Sequence, residues 1–330
     1  MQTLSTQNKK AKILVVGSLV MDLIVTTPRF PQEGETVLGT DYTTASGGKG
    51  ANQAVQAALL GADVTMVGRV GEDVFGEAMR ESLNRAGVHT EHLLNTPDVS
   101  SAIGNIQIES EPGKPAKNRI IVVSGANMKI KEHDILFLED TIRDYDMVLL
   151  QFEIPMQINE KVAALAKKNG VPVMINTAPS HRASDALLSC ATYVSPNEHE
   201  AYDMTGVMVT DEKSAKEAAA FFLDRGVGHV LITCGEAGCV MADREDFISS
   251  PAIFCEHVMD PTAAGDSFIA AFCTAVSLGA DHARAMRFAN YTAHITVSRK
   301  GAQPSLPTLS EVTDLMRKKG EDLRWLPESL

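Results

Sequence analysis

Short runs of β-branched and large apolar residues punctuate the chain. Residues 13–16 (Ile-Leu-Val-Val) end at Gly17, and 64–67, 147–150, 173–175, 193–194 and 230–233 repeat the pattern. Runs this short, bounded by turn residues, read as buried strands. Between them the apolar positions take helical spacing, over 50–60, 75–86, 158–168, 213–225 and 266–278. Strands alternating with helices predict an α/β fold: a doubly wound, mainly parallel sheet flanked by helices on both faces. A last amphipathic helix over 309–319 packs on that body.

Two stretches depart from this rhythm. Polar and apolar residues alternate in 36–44. In 102–124, the runs 103–108 and 119–123 flank the turn-rich Glu111-Pro-Gly-Lys-Pro115. Alternation marks a sheet with one wet face, and the turn marks a hairpin. The expectation is a single domain over 1–330 carrying a small β-sheet lid, inserted from about 20–46 and 100–124. No internal repeat, low-complexity segment or linker divides the chain.

Composition narrows the partners. A length of 330 residues suits one large α/β domain with an attachment, and 44% hydrophobic with 22% charged residues excludes disorder. Lys plus Arg is 30 against 42 for Asp plus Glu, a net charge of −12. Such a chain is a poor binder of nucleic acid or of an anionic membrane, although a local phosphate pocket is still allowed. The five cysteines, at 190, 234, 239, 255 and 273, form no CxxC and are odd in number. They read as reduced thiols of a cytoplasmic protein. Neither a secretory leader nor an apolar run of the ~18 residues of a membrane span is recognisable.

Five stretches carry candidate chemistry. Asp22 follows Gly17 just beyond the first strand, where open α/β sheets bind ligands, and could accept sugar hydroxyls; the plainer reading is a turn or cap. GxGxxG is absent. Gly48, Lys49, Gly50, Ala51 and Asn52 lie in Gly47-Gly-Lys-Gly-Ala-Asn-Gln-Ala54, a close-approach turn opening a helix. It is not a Walker A spacing, and Asn52 among apolar neighbours calls for a polar ligand. Asn197 and Glu200 sit one turn apart, equally suited to a hydrated Mg²⁺ near phosphates or to a capping box. Thr233, Cys234, Gly235, Glu236, Ala237 and Gly238 form a strand and turn able to cradle a nucleotide. In Asp260-Pro-Thr-Ala-Ala-Gly-Asp266 small residues lead into a long helix. The amides of Ala264, Gly265 and Asp266 would make an anion hole beside the Asp266 carboxylate. That is the kinase division of labour between positioning, charge stabilisation and orientation of the nucleophile.

In this order the stretches resemble the ribokinase-like (PfkB) carbohydrate kinases, from about residue 12 to 305. The strings at 47–54, Glu153 after Gln151-Phe152, Asn176-Thr-Ala-Pro179 and Arg299-Lys-Gly-Ala-Gln-Pro-Ser305 carry the likeness. The resemblance implies an ATP-dependent kinase of a sugar's primary hydroxyl, D-ribose foremost, yielding D-ribose 5-phosphate. It assigns Asp22, Gly48, Lys49, Gly50, Ala51, Asn52 and Glu153 to the sugar and Asp266 to the base. Ala263, Ala264, Gly265 and Asp266 become the anion hole. Asn197 and Glu200 become the organisers of Mg²⁺, and the segment from Thr233 to Gly238 with Asn290 the adenine-nucleotide site. A K⁺ site is implied at Asp260, Thr262, Thr296, Arg299, Gly301 and Ser305, and a lid that pairs two subunits into a homodimer. The chain departs from the family at Pro261, at Thr177 and at Ser100-Ser101-Ala102, and the last bears on sugar preference. Competing readings are a kinase of 2-deoxyribose, a nucleoside or a hexose, a nucleotide-binding oxidoreductase, and a catalytically silent sugar-binding regulator.

Overall fold

The computed structural model describes residues 10–110 and 117–327, so the hairpin tip expected at 111–115 lies outside the described residues. In chain order the strands are β1 (Lys12–Val16), β2 (Val20–Thr27), β3 (Asp41–Gly47), β4 (Asp63–Gly71), β5 (Leu93–Thr96), β6 (Ile103–Glu109) and β7 (Lys117–Val123). They continue as β8 (Met147–Gln151), β9 (Val173–Asn176), β10 (Tyr193–Ser195), β11 (His229–Thr233), β12 (Cys239–Ala242) and β13 (Phe247–Ser250). The helices are α1 (Lys49–Leu59), α2 (Val74–Arg85), α3 (Leu138–Thr141), α4 (Met156–Lys168) and α5 (Asp185–Leu188). After them come α6 (Glu198–Thr205), α7 (Glu212–Leu223), α8 (Ala264–Ser277), α9 (His282–Val297) and α10 (Leu309–Lys318).

Among the described residues, nine strands form the main sheet in the order β13-β12-β11-β10-β9-β8-β1-β4-β5. From β11 to β5 neighbouring strands pair in parallel; β12 and β13 are antiparallel. Period-2 alternation builds the two faces. In β1, Ile13 and Val15 join one apolar cluster with residues of α1, α8 and α9, while Leu14 and Val16 join another with residues of α4 and α7. All four are 0% exposed. Burying each contributes roughly 1.5–3 kcal/mol, which is why both faces of the sheet are covered.

The second sheet has the order β3-β2-β6-β7, with β2 parallel to β6 and the other pairs antiparallel. One expectation needs correction here. The alternating stretch 36–44 forms a strand from Asp41: β2 ends at Thr27, Asp41 pairs with Thr26, and Thr40 N still reaches Thr26 O (2.8 Å) as the chain leaves the end of β2. Residues 20–27, inside the span 20–46 expected to enter the lid, form a full strand, and Asp22 therefore lies within it rather than in a turn or cap. Their pattern hides this because β2 lies between β3 and β6, with Leu23 to Thr26 all half-buried. The helix α9 also escapes the apolar pattern. Its hidden face includes Asn290, Thr292 and Thr296, whose hydroxyls and amide are bonded inside the protein.

Candidate active site

The site lies beyond the carboxyl ends of the parallel strands, the usual crevice of an open α/β sheet. After β1 the chain turns through Gly17 and Ser18 into β2. Asn127 pins this turn: its side chain accepts from Leu19 N (3.1 Å) and donates to Leu19 O (2.8 Å). Asn127 was missed in the sequence, where Ser124-Gly-Ala-Asn127 reads as an ordinary turn. Gly48 lets α1 approach the same turn, because a Cβ there would lie 2.6 Å from Val20 N. Glu153, just past β8, closes the group by accepting from Ser18 Oγ and from Lys49 N (3.2 Å).

Asp22 stands opposite Gly104 in the β2–β6 register, and a Cβ at 104 would come within 2.5 Å of Asp22 Oδ1. The carboxylate thus occupies space that only glycine leaves. Burial, helped by the charge of Glu153, pushes the Asp22 carboxyl up to about 6.

Asn52 and Asp266 meet across the junction of α1 and α8: Asn52 Nδ2 donates to Asp266 Oδ2 at 2.9 Å. Asn52 Oδ1 is buried and has no partner, the condition that a ligand hydroxyl would satisfy. Lys49 is half-buried, which by itself lowers its ammonium, but the charges of Asp266, Glu153 and Glu200 outweigh this and hold it raised. Burial also raises Glu200, more than its bonds from Asn197 and Thr177 and the charge of Lys49 can lower it. Lys49 stands as a cation among these carboxylates, which leaves the site acidic.

The start of α8 is where the anion hole is expected. Ala263, the N-cap, is held at φ 61°, a left-handed value that costs an alanine about 1 kcal/mol or more. The following amides begin the helix, where Gly265 and Asp266 have no intrahelical carbonyl to bind. Nothing lies within 4 Å of the position a Gly265 Cβ would take, so the first turn faces open space. The Ala264 amide is turned back onto Pro261 O at 3.2 Å.

Asn197 and Glu200 form a reciprocal capping box on α6, with Asn197 Nδ2 also donating to Glu200 Oε1 (3.0 Å) and Thr177 Oγ1 to Glu200 Oε2 (3.3 Å). Both carboxylate oxygens are engaged, so these residues fit a metal through its water shell better than by direct ligation. No cluster of three or more His, Cys, Asp or Glu suited to a metal occurs among the described residues. Thr233 bridges to Asn197, so the turn carrying Cys234, Gly235, Glu236, Ala237 and Gly238 adjoins the Asn197 end of the site. Asn290 does not reach out with its amide. Its Nδ2 is bonded to Ser250 O, Ser250 Oγ and Pro251 O, anchoring β13 behind that turn.

Asp260 ties two loops together, accepting from Thr262 N and from Gly301 N, both at 2.9 Å. Burial raises its carboxyl, but the hydrogen bonds from Thr262 and Gly301 prevail and hold it low. Thr296 and Ser305 are buried nearby with their hydroxyls bonded to Ser267 Oγ and Ala302 O. The Arg299 side chain turns outward to Glu311 (2.5 Å), leaving only its carbonyl for a cation.

With this geometry in place, comparison with known proteins is decisive. The profile of the pfkB family carbohydrate kinases matches residues 10–309. The chain belongs to that family. As a pfkB kinase it is 39% identical to ribokinase of Haemophilus influenzae over 304 residues, covering 92% of this chain and 98% of that one. It is 31% identical to deoxyribokinase of Salmonella typhi over 305 residues, covering 92% and 98%. The solved structure of Arabidopsis thaliana ribokinase complexed with ribose and ATP superposes with a TM-score of 0.87 at 34% identity, covering 94% of this chain and 99% of that one. The likeness to pfkB kinases spans both sheets, and no helix among the described residues is long and apolar enough to cross a membrane.

Proposed function

We propose that this protein is an ATP-dependent kinase that phosphorylates the primary 5-hydroxyl of D-ribose, giving D-ribose 5-phosphate and ADP. The observation that carries the reading is the Asp266 carboxylate, held by an amide on each oxygen beside the open first turn of α8. Asp22, Asn52 and Glu153 hold the sugar. Asp266 takes the proton of the 5-hydroxyl as its oxygen bonds to the γ-phosphorus, and the bond to the β–γ bridging oxygen breaks to release ADP. The Gly265 and Asp266 amides, with Ala264 once it leaves Pro261, stabilise the charge on the transferring group, and Lys49 adds a positive charge. Mg²⁺, held through water near Asn197 and Glu200, would offset phosphate charge when bound. The five cysteines are free, which fits a cytoplasmic protein. The test is ATP consumption over a panel of D-ribose, 2-deoxyribose, hexoses and nucleosides. D-Ribose should have the highest kcat/KM; 2-deoxyribose in first place would move the reading to a deoxyribokinase.

The Asp260–Gly301 tie supports a K⁺ site that shapes the anion hole without touching substrate. Activity should be higher in K⁺ than in Na⁺ at equal ionic strength, and that difference should vanish in Asp260→Ala. Equal rates in both salts count against the site.

The lid supports a two-fold homodimer. Its edge strand β7 exposes Ile120, Ile121, Val122 and Val123 at 54, 64, 58 and 45%, a cost that a second copy removes. Light scattering at micromolar concentration should return twice the chain mass of 35.5 kDa. A monomer under those conditions rules the dimer out.

A further inference from the structure

Beneath Asp266 lies a set of buried side-chain amides, of which the account above uses only the one that bonds Asp266 Oδ1. Gln53 and Gln151 are 0% exposed and Asn176 is 6% exposed. Gln53 Nε2 donates to Asp266 Oδ1 at 3.1 Å and to Asn176 Oδ1 at 3.3 Å. Gln53 Oε1 accepts from Gln151 Nε2 at 2.7 Å. Asn176 Nδ2 donates in turn to the Ser195 carbonyl at 3.1 Å. Four elements therefore meet at one amide: α1 through Gln53, α8 through Asp266, and the ends of β8 and β9 through Gln151 and Asn176.

Direction matters in this chain. A glutamine amide can turn either its NH₂ or its oxygen toward a carboxylate, and only the NH₂ attracts it. Gln151 has one donor aimed at Gln53, which fixes the Gln53 oxygen on that side and its NH₂ toward Asp266. Room for Gln151 is made from behind. A Cβ at Gly17 would lie 2.0 Å from Gln151 Oε1, so the residue closing β1 has no side chain where that amide sits. Gln151 Oε1 itself has no partner, a burial cost accepted at a position that apolar residues would fill more cheaply.

We infer that Gln53 and Gln151 are positioning residues for the base, a relay from Gln151 through Gln53 that holds Asp266 at the angle from which it meets the sugar hydroxyl. The inference rests on the reading of Asp266 as base. Asn52 holds the other oxygen, and each oxygen keeps a lone pair for the incoming proton. Neither glutamine touches the substrate, so their loss acts on kcat through Asp266 and not on sugar affinity.

The experiment is steady-state kinetics of the full chain with ribose and MgATP, for Gln53→Met and Gln151→Glu, each alone and combined with Asp266→Asn. Gln53→Met should lower kcat about tenfold, the loss of one hydrogen bond to a charged group, with the sugar KM within about twofold. Gln151→Glu loses its donor wherever the new carboxyl is ionised, so there Gln53 turns its oxygen toward Asp266 and kcat should fall at least as far, most strongly at high pH because burial favours the protonated acid. In the Asp266→Asn background, Gln53→Met should change the residual kcat by less than about twofold, because coupled groups are not additive. Wild-type kcat in Gln53→Met, or the same loss with and without Asp266, overturns the relay. Should Gln53→Met not fold, Gln151→Glu and its combination with Asp266→Asn decide in the same way. Wild-type kcat in Asp266→Asn alone fails the base assignment, and is told apart from failure of the relay by that single variant.

Discussion

Asp266→Asn is expected to lower kcat by about 10²–10⁴-fold while ATP still binds. Asn keeps the shape of the side chain, but it accepts from one only of Asn52 and Gln53, its NH₂ faces the other donor, and its oxygen is a far weaker base than a carboxylate. The attacking hydroxyl would then have to lose its proton to water, or keep it into the transition state. The anion hole survives, since its donors are main-chain amides of the same helix. Binding of ATP measured by calorimetry should therefore stay within a few-fold of wild type. A variant that turns over ribose at near the wild-type rate would remove Asp266 from the mechanism.

Asp22→Asn should act on the sugar instead. A hydrogen bond to a charged group contributes about 1.5–3 kcal/mol, so kcat/KM for ribose should fall tenfold or more, mainly through KM, with the KM for ATP unchanged. The environment of Asp22 adds a pH signature. Its carboxyl is raised to about 6 from 3.8 by burial and by Glu153. The folded protein thus binds this proton more tightly than the unfolded chain. The associated stability is fully present below pH 3.8, is lost as pH rises toward about 6, and stays lost above it. Asp22→Asn should accordingly raise Tm at pH 7 by a few degrees and change it little at pH 4. In the free wild-type protein the sugar meets a neutral Asp22 below about pH 6, so ribose affinity should drop there. Equal ribose KM in variant and wild type, or equal ribose affinity at pH 5 and pH 8, contradicts the role. The ligand site is thus built at a cost to stability, as functional sites often are.

How far this was legible from the chain depended on whether a residue's partners were local. The parallel sheet could be read because β-branched runs such as 13–16 are buried on both faces and end at turn residues. Asp266 and Gly265 could be read because a helix start and a carboxylate adjoin in sequence. Asn197 and Glu200 could not be resolved, since three-residue spacing serves a capping box and a hydrated metal alike; the structure shows the box, which does not remove the metal. The strand β2 was hidden by its half-buried positions. Gln53 and Gln151 were invisible for a different reason: nothing sets Gln53 apart from the neighbouring Asn52 and Gln56, Gln151 is a lone amide closing an apolar strand, and Gln53 lies 98 residues from Gln151 and 213 from Asp266. Only the crossing of α1, α8 and β8 brings them together. The oxidoreductase reading falls with the family assignment.

The central claim is a phosphoryl transfer from ATP to one particular oxygen of ribose, and phosphorus NMR of the reaction mixture tests it most directly. Protein, D-ribose, ATP and Mg²⁺ in K⁺ buffer should produce ADP and a single phosphomonoester in equal amounts. That ester's phosphorus should couple to the two protons of C5, and Asp266→Asn should slow the appearance of both products by the same factor. No ADP formed with ribose, or an ester on the anomeric carbon, would contradict the account.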